Sequence, residues 1–182
     1  MTKDQFEKFL DEKARATKEA ELVDWESQKR EWLNSLSKFY STIEKYLAPY
    51  KQSGKLKVEK SSVPLTEDHI GTYQADSMTL FLGSDPVTLE PVGTLIIGGK
   101  GRVDMKGPAG TVKFILTGKH SNGIRISFEI VEKDQRAKKE PASKRDLPEE
   151  FVWKITTPPP KIQFIELTQE SFFSALTEIV NG

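Results

Sequence analysis

Residues 32–58 read WLNSLSKFYSTIEKYLAPYKQSGKLKV, and the spacing of their apolar residues changes at Pro49. Before Pro49 the apolar residues recur every three or four positions, which is typical of a helix with one buried face. Proline ends helices and glycine favours turns, so Pro49 and Gly54 predict a helix end followed by a turn. We therefore predict a helix over residues 22–48 that packs across a sheet, and this is favoured over the alternative that the apolar stripe is a coiled-coil dimer surface.

After this turn, apolar and polar residues alternate, as they do in antiparallel strands with one buried face. The clearest alternation runs from Ile124 to Ile130. Turn signals such as Gly83-Ser84-Asp85-Pro86 and Gly107-Pro108 recur between the apolar runs and predict hairpins. Leu95-Ile96-Ile97 shows no alternation, which predicts a strand buried on both faces.

The C-terminal residues return to helical spacing. Thr168 predicts the N-cap of a helix over residues 169–180, and Gly182 predicts its end. The fold class is therefore α+β: a long N-terminal helix, a curved or barrel-like antiparallel sheet of about seven to nine strands, and a C-terminal helix. Residues 22–182 are predicted to form one domain.

Residues 1–21 form a polar helical arm. Thr2 and Gln5 have the spacing of a capping box, and residues 11–21 are almost all charged residues and alanines. The arm is either a solvated helix, the projecting start of one long helix, or a segment that docks onto a partner or a second copy. Its candidate contact residues are Phe6, Phe9 and Leu10.

Residues 133–150, KDQRAKKEPASKRDLPEE, are predicted to form a charged, flexible loop. They carry eleven charged residues and two prolines, which leaves almost nothing to bury in a core.

Composition narrows the function classes. The chain has 27 basic and 27 acidic residues with no basic block, which disfavours nucleic-acid binding. It has no cysteine, which excludes disulfides, thiolate nucleophiles and zinc–thiolate sites. The polar N-terminus does not resemble a signal peptide, and no apolar run has the length of a membrane span. A cytoplasmic protein without membrane contact is the expectation.

The candidate catalytic motifs are weak. In the glycine-rich segment Gly93–Arg102, Gly101 follows Lys100 where a phosphate-binding loop needs a hydroxyl residue, so a tight hairpin is favoured. His69 and His120 both lie among turn residues. A hydrolase with paired carboxylates among Asp104, Glu129 and Glu90 stays a minor alternative. No catalytic residue, cofactor or metal site is predicted.

The proline run Pro158–Pro160 either stiffens a strand connection or presents a polyproline ligand, and the first reading is favoured.

Three segments together resemble a group of uncharacterised bacterial proteins of similar length. They are WLNSLSKFYSTIEKYLAPY at residues 32–50, PVGTLIIGGKGRVDMKGPAG at residues 91–110, and the tail VWKITTPPP…ELTQESFFSALTEIVNG at residues 152–182. The resemblance implies a bacterial cytoplasmic origin. It implies no activity and no site residue.

Three functional hypotheses follow. The first is a non-enzymatic protein-interaction module with a regulatory, immunity-like or assembly role, which contacts a protein partner or a second copy through Phe6, Phe9 and Leu10. The second is a small-ligand-binding curved sheet that uses aromatic residues such as Trp153, Tyr73, Phe81 and Phe164. The third is the hydrolase, which has the least support.

Overall fold

The computed structural model describes residues 3–94, 96, 99–122 and 150–182. Helix α1 is one continuous 50-residue helix, Lys3–Gln52. Residues 3–21 are therefore the start of one long helix rather than a separate first helix. Outside the described residues lie Thr2 of the predicted capping box, the predicted strand Ile124–Ile130, and the loop 133–150 apart from Glu150.

Helix α1 does not end at Pro49, and the predicted boundary was wrong. Pro49 lies inside the helix, which continues for three more residues to Gln52. Proline has no N–H to donate to the carbonyl four residues earlier, but the carbonyl of Pro49 still accepts a hydrogen bond from the amide of Ser53 at 3.1 Å. The chain turns only at Gly54, whose φ of 73° lies in the left-handed region that glycine adopts without strain.

Seven strands form one antiparallel sheet in which each strand pairs with the next one along the chain. They are β1 (Lys57–Glu67), β2 (Gly71–Leu82), β3 (Asp85–Gly93), β4 (Gly101–Gly107), β5 (Gly110–Gly118), β6 (Phe151–Thr156) and β7 (Phe164–Glu166). The α+β prediction is confirmed. The described strands do not close into a barrel, because β1 and β7 lie at opposite edges.

Helix α1 and the C-terminal helix α2 (Gln169–Asn181) both contribute to one core against the sheet. Phe39 of α1 contacts Phe114 of β5 and Trp153 of β6, with ring centroids 5.2 and 4.6 Å apart. Phe172 of α2 reaches the same Phe114 ring. The buried side chains of α1 are Trp32, Leu36, Phe39, Tyr40, Ile43 and Leu47. The predicted stripe is therefore core at Trp32, Leu36, Phe39 and Ile43, whereas Tyr46 is half-buried and Tyr50 is exposed.

Helix α2 begins and ends as predicted, within one residue. The Thr168 hydroxyl accepts a hydrogen bond from the amide of Ser171, whose hydroxyl in turn accepts from the amide of Thr168. These two bonds satisfy amides that a helix leaves without intrahelical partners. At the other end, the Gly182 amide donates to the Glu178 carbonyl.

The predicted strand at Leu95-Ile96-Ile97 is not borne out as a buried strand. Strand β3 ends at Gly93, and Ile96 is half-buried in an isolated antiparallel bridge to Gly99. Leu95 and Ile97 lie outside the described residues. The bridge reverses the chain, in agreement with a tight hairpin rather than a phosphate-binding loop.

Candidate functional site

The arm residues lie outside the hydrophobic core. Phe6, Phe9 and Leu10 are 49%, 45% and 48% exposed, and their helix runs on into the part of α1 that packs on the sheet. The rings of Phe6 and Phe9 stack with centroids 6.4 Å apart, and the Lys13 ammonium lies 5.7 Å from the centre of the Phe9 ring. The structure thus presents the three predicted contact residues as one apolar patch.

A second feature forms where the β1–β2 hairpin separates from β3. The pairing of β2 with β3 ends at Met78 and Leu89, while β1 and β2 stay paired as far as Glu67 and Gly71. The Glu67 carboxylate, only 8% exposed, crosses this gap. It accepts hydrogen bonds from the amide of Thr94 at 2.7 Å and from its hydroxyl at 2.8 Å.

The other oxygen of Glu67 accepts a hydrogen bond from the Tyr73 hydroxyl at 2.5 Å. Burial raises the pKa of the Tyr73 phenol, and the hydrogen bond to Glu67 and the negative charge of Glu67 raise this pKa further. The nearby Trp32 side chain lowers it. The Tyr73 hydroxyl therefore stays protonated and keeps donating at physiological pH. Within the described residues, the buried indole nitrogen of Trp32 makes no hydrogen bond of normal geometry.

Gly93 makes this close approach feasible. Its φ of 126° is one that residues with side chains rarely adopt, and a Cβ placed there would lie 2.9 Å from the Glu67 carboxylate. Glu67, Tyr73 and Thr94 therefore form a satisfied buried polar cluster that fixes the end of β3. Gln28 of α1 joins it by donating from Nε2 to the Thr94 hydroxyl at 3.2 Å.

Next to this cluster lies a cavity of about 420 Å³ between α1 and the sheet. One wall is a face of α1, and the opposite wall comes from Lys100 just before β4, from Leu116 of β5 and from Phe151 of β6. The lining residues are Asp24, Ser27, Gln28, Glu31, Trp32, Ser35, Lys100, Leu116 and Phe151. We refer to this space as the α1 cavity.

The far wall of the α1 cavity is held by two contacts of Lys100. Its ammonium lies 4.2 Å from the centre of the Phe151 ring, a cation–π contact. Its backbone amide donates to the carbonyl of Leu116 at 2.7 Å. The cavity thus has an aromatic wall with one cation, facing a polar wall that carries the two exposed carboxylates of Asp24 and Glu31.

Of the candidate hydrolase carboxylates, Glu90 of β3 and Asp104 of β4 lie directly opposite each other in the sheet, and each forms an ion pair with a basic residue. Asp104 accepts hydrogen bonds from the guanidinium of Arg102 at 2.9 and 3.2 Å, and Glu90 is paired with Lys106. Glu129 lies outside the described residues. Both histidines are exposed, and the His69 ring stacks on Trp25 with centroids 4.9 Å apart. Among the described residues, no three His, Asp or Glu side chains come together as a metal-binding group.

Two of the aromatic residues considered for a ligand site belong to the core region. Trp153 packs against Trp32 and Phe39, and its indole nitrogen donates to the carbonyl of Ser35 at 3.2 Å. Tyr73 packs against the core edge and binds Glu67. The α1 cavity and the Glu67 cluster were not predicted. The one sequence signal for them was the glycine-rich segment, in which Gly93 and Gly101 each allow a close approach.

In the part of the chain that the structure describes, neither helix combines the length and apolar character needed to span a membrane. No protein-family model, curated protein or solved structure matches this chain.

Proposed function

We propose that the protein is a non-enzymatic interaction module that binds another protein chain through the patch formed by Phe6, Phe9 and Leu10. The observation that carries the proposal is the exposure of these three large apolar side chains on an ordered helix. Exposed apolar surface of this kind gains free energy when a partner removes it from water.

The rest of the arm supports this reading. The remaining residues of the segment 3–21 are charged residues, small residues and a few polar ones, so the apolar side chains stand out as one patch on a charged helix. Aromatic residues at the centre of a contact, surrounded by charged residues, are the arrangement found where a few side chains dominate a protein interface.

The test compares two triple variants of the arm. The first is Phe6→Ser, Phe9→Ser and Leu10→Ser, which removes the patch. The matched control is Lys8→Ser, Asp11→Ser and Glu12→Ser, which changes the opposite side of the same helix. Because none of the six residues belongs to the core, both variants should show the wild-type circular dichroism spectrum.

Native mass spectrometry of each protein, purified gently from its host, reads out the bound chain. We expect the wild type and the control to carry a second protein chain and the patch variant to lose it. A patch variant that keeps the same bound chain, or a wild type that is a bare monomer at every concentration, would refute the proposal.

A further inference from the structure

We infer that the chain bound by the patch is a second copy of this protein, and that Phe6, Phe9 and Leu10 of each copy pack into the α1 cavity of the other. The inference rests on the proposed function and adds the identity of the partner and its receiving surface. It predicts a symmetric dimer in which two α1 helices run antiparallel.

The patch and the α1 cavity lie on the same side of α1. At about 100° per residue, Phe6, Leu10, Asp24, Gln28 and Glu31 fall within roughly 60° of one another around the helix axis. The centre of the core-facing stripe of α1 is about 100° away on the same scale. A second helix lying along α1 on this side therefore contacts both features without disturbing the core.

The spacing of the two features suits an antiparallel pair. The patch is centred near residue 8 and the cavity wall near residue 29, which places them about 30 Å apart on a continuous helix. A two-fold axis midway between them places each patch on the opposite cavity. In such an isologous contact, the patch and the cavity of both copies are occupied, so the assembly closes at two chains.

The charges agree with the same register. In this antiparallel register the residue numbers of two facing positions add to 37. Lys13 of each copy therefore faces Asp24 of the other copy, which makes two such pairs in the dimer. Leu10 then faces Ser27, and Phe6 faces Glu31. Asp24 is exposed and forms no ion pair or hydrogen bond with the described residues. A parallel register would instead bring each of these charges against its own copy, which like-charge repulsion opposes.

The cavity has room for the patch, and three of its lining residues, Trp32, Leu116 and Phe151, are apolar. A volume of about 420 Å³ lies within the range of sites that hold drug-sized molecules (~300–1,000 Å³), which gives room for two aromatic side chains. Phe151 and Leu116 supply apolar surface, and the Glu67 cluster fixes the α1 wall through Gln28.

Charge reversal tests the register directly. In a homodimer of the Lys13→Asp variant, two negative charges face each other at each of the two pairs of positions 13 and 24. In a homodimer of the Asp24→Lys variant, two positive charges face each other there. Mixing the two variants restores both opposite-charge pairs in a heterodimer. The matched controls, Lys8→Asp and Asp11→Lys, make the same charge changes on the opposite side of α1.

Sedimentation velocity over a concentration series measures self-association, with one variant carrying a fluorescent label for the mixture. We expect dimeric wild type and controls, a dissociation constant raised at least about tenfold for each reversal alone, and recovery in the mixture. A monomeric wild type overturns the inference, and so does a mixture that associates no better than its components. A complex with a different protein that depends on the patch also overturns the inference of a homodimer, and so does a small molecule held in the cavity. Neither result refutes the proposed function, which is tested by the patch variant.

Discussion

Replacement of Tyr40 by Phe should change how stability depends on pH. Tyr40 is 1% exposed, and its hydroxyl donates to the Leu89 carbonyl at 3.1 Å. The Ser77 hydroxyl donates to the same carbonyl, so the acceptor keeps a partner in the variant. Burial raises the pKa of the Tyr40 phenol well above its usual range, and the charges of Asp76 and Glu90 raise it further.

The sign and size of the effect follow from this pKa. Below about pH 10 the phenol is protonated in both the folded and the unfolded chain, and the variant loses only one hydrogen bond, about 1 kcal/mol. Above pH 10 the unfolded wild type releases the proton while the folded protein keeps it. Wild-type stability then falls by about 1.4 kcal/mol per pH unit relative to the variant. The two stability curves should therefore cross between about pH 10.5 and 11.

Urea unfolding followed by tryptophan fluorescence, at several pH values from 8 to about 11, measures both curves. Other alkaline titrations, including that of Tyr73, affect the two proteins alike and cancel in the difference. Curves that stay parallel above pH 10, or a gap that widens, would refute the conclusion that a buried, protonated phenol holds α1 to β3.

Two further predictions concern the surroundings of the α1 cavity. Glu67→Ala should lower the free energy of unfolding by about 3 kcal/mol or more, because it leaves three donors without their acceptor. Glu67→Gln keeps an acceptor and should lower it by about half as much. Equal losses for the two variants in chemical denaturation would contradict the hydrogen-bond assignment. Gly101→Ala should lower the free energy of unfolding by about 1–3 kcal/mol, because its Cβ would lie 2.2 Å from the Trp32 ring. Gly110→Ala meets only open space and should change the free energy of unfolding by less than about 0.5 kcal/mol. Similar unfolding midpoints for the two variants would show that Trp32 moves aside freely.

The sequence predicted those parts of the fold that depend on local periodicity. Leu36 and Ile43 in α1, and Phe172 and Leu176 in α2, are buried at the positions that helical spacing indicated. The cap at Thr168 was also predictable, because a capping hydroxyl acts within three residues of itself.

The parts that were missed depend on distant contacts. A proline near the end of a helix permits one more turn when its carbonyl finds a donor, as Pro49 does. Glu67 looks like any polar residue at a strand end, and its partner Thr94 is 27 residues away. Whether a sheet closes into a barrel likewise depends on whether its first and last strands meet, and no local pattern reports that.

The α1 cavity could not be predicted for the same reason. Its walls combine residues near Asp24 with Lys100 and Phe151, which only the assembled sheet brings together. The arm residues were a different case. Phe6, Phe9 and Leu10 stood out in the sequence because the charged segment around them offers no core, and the structure leaves them exposed.

The order of the elements along the chain has a consequence for synthesis on the ribosome. Each strand pairs with its neighbour in sequence, so hairpins assemble as soon as their residues emerge. Helix α1 emerges before the sheet, yet its aromatic side chains pack on Trp153 of β6 and Phe172 of α2, which are made only after strands β1 to β5. The apolar face of α1 therefore stays only partly covered until β6 and α2 have been made, and this is a period of aggregation risk. Slowing elongation before residue 150 should lengthen that period, and faster elongation should shorten it.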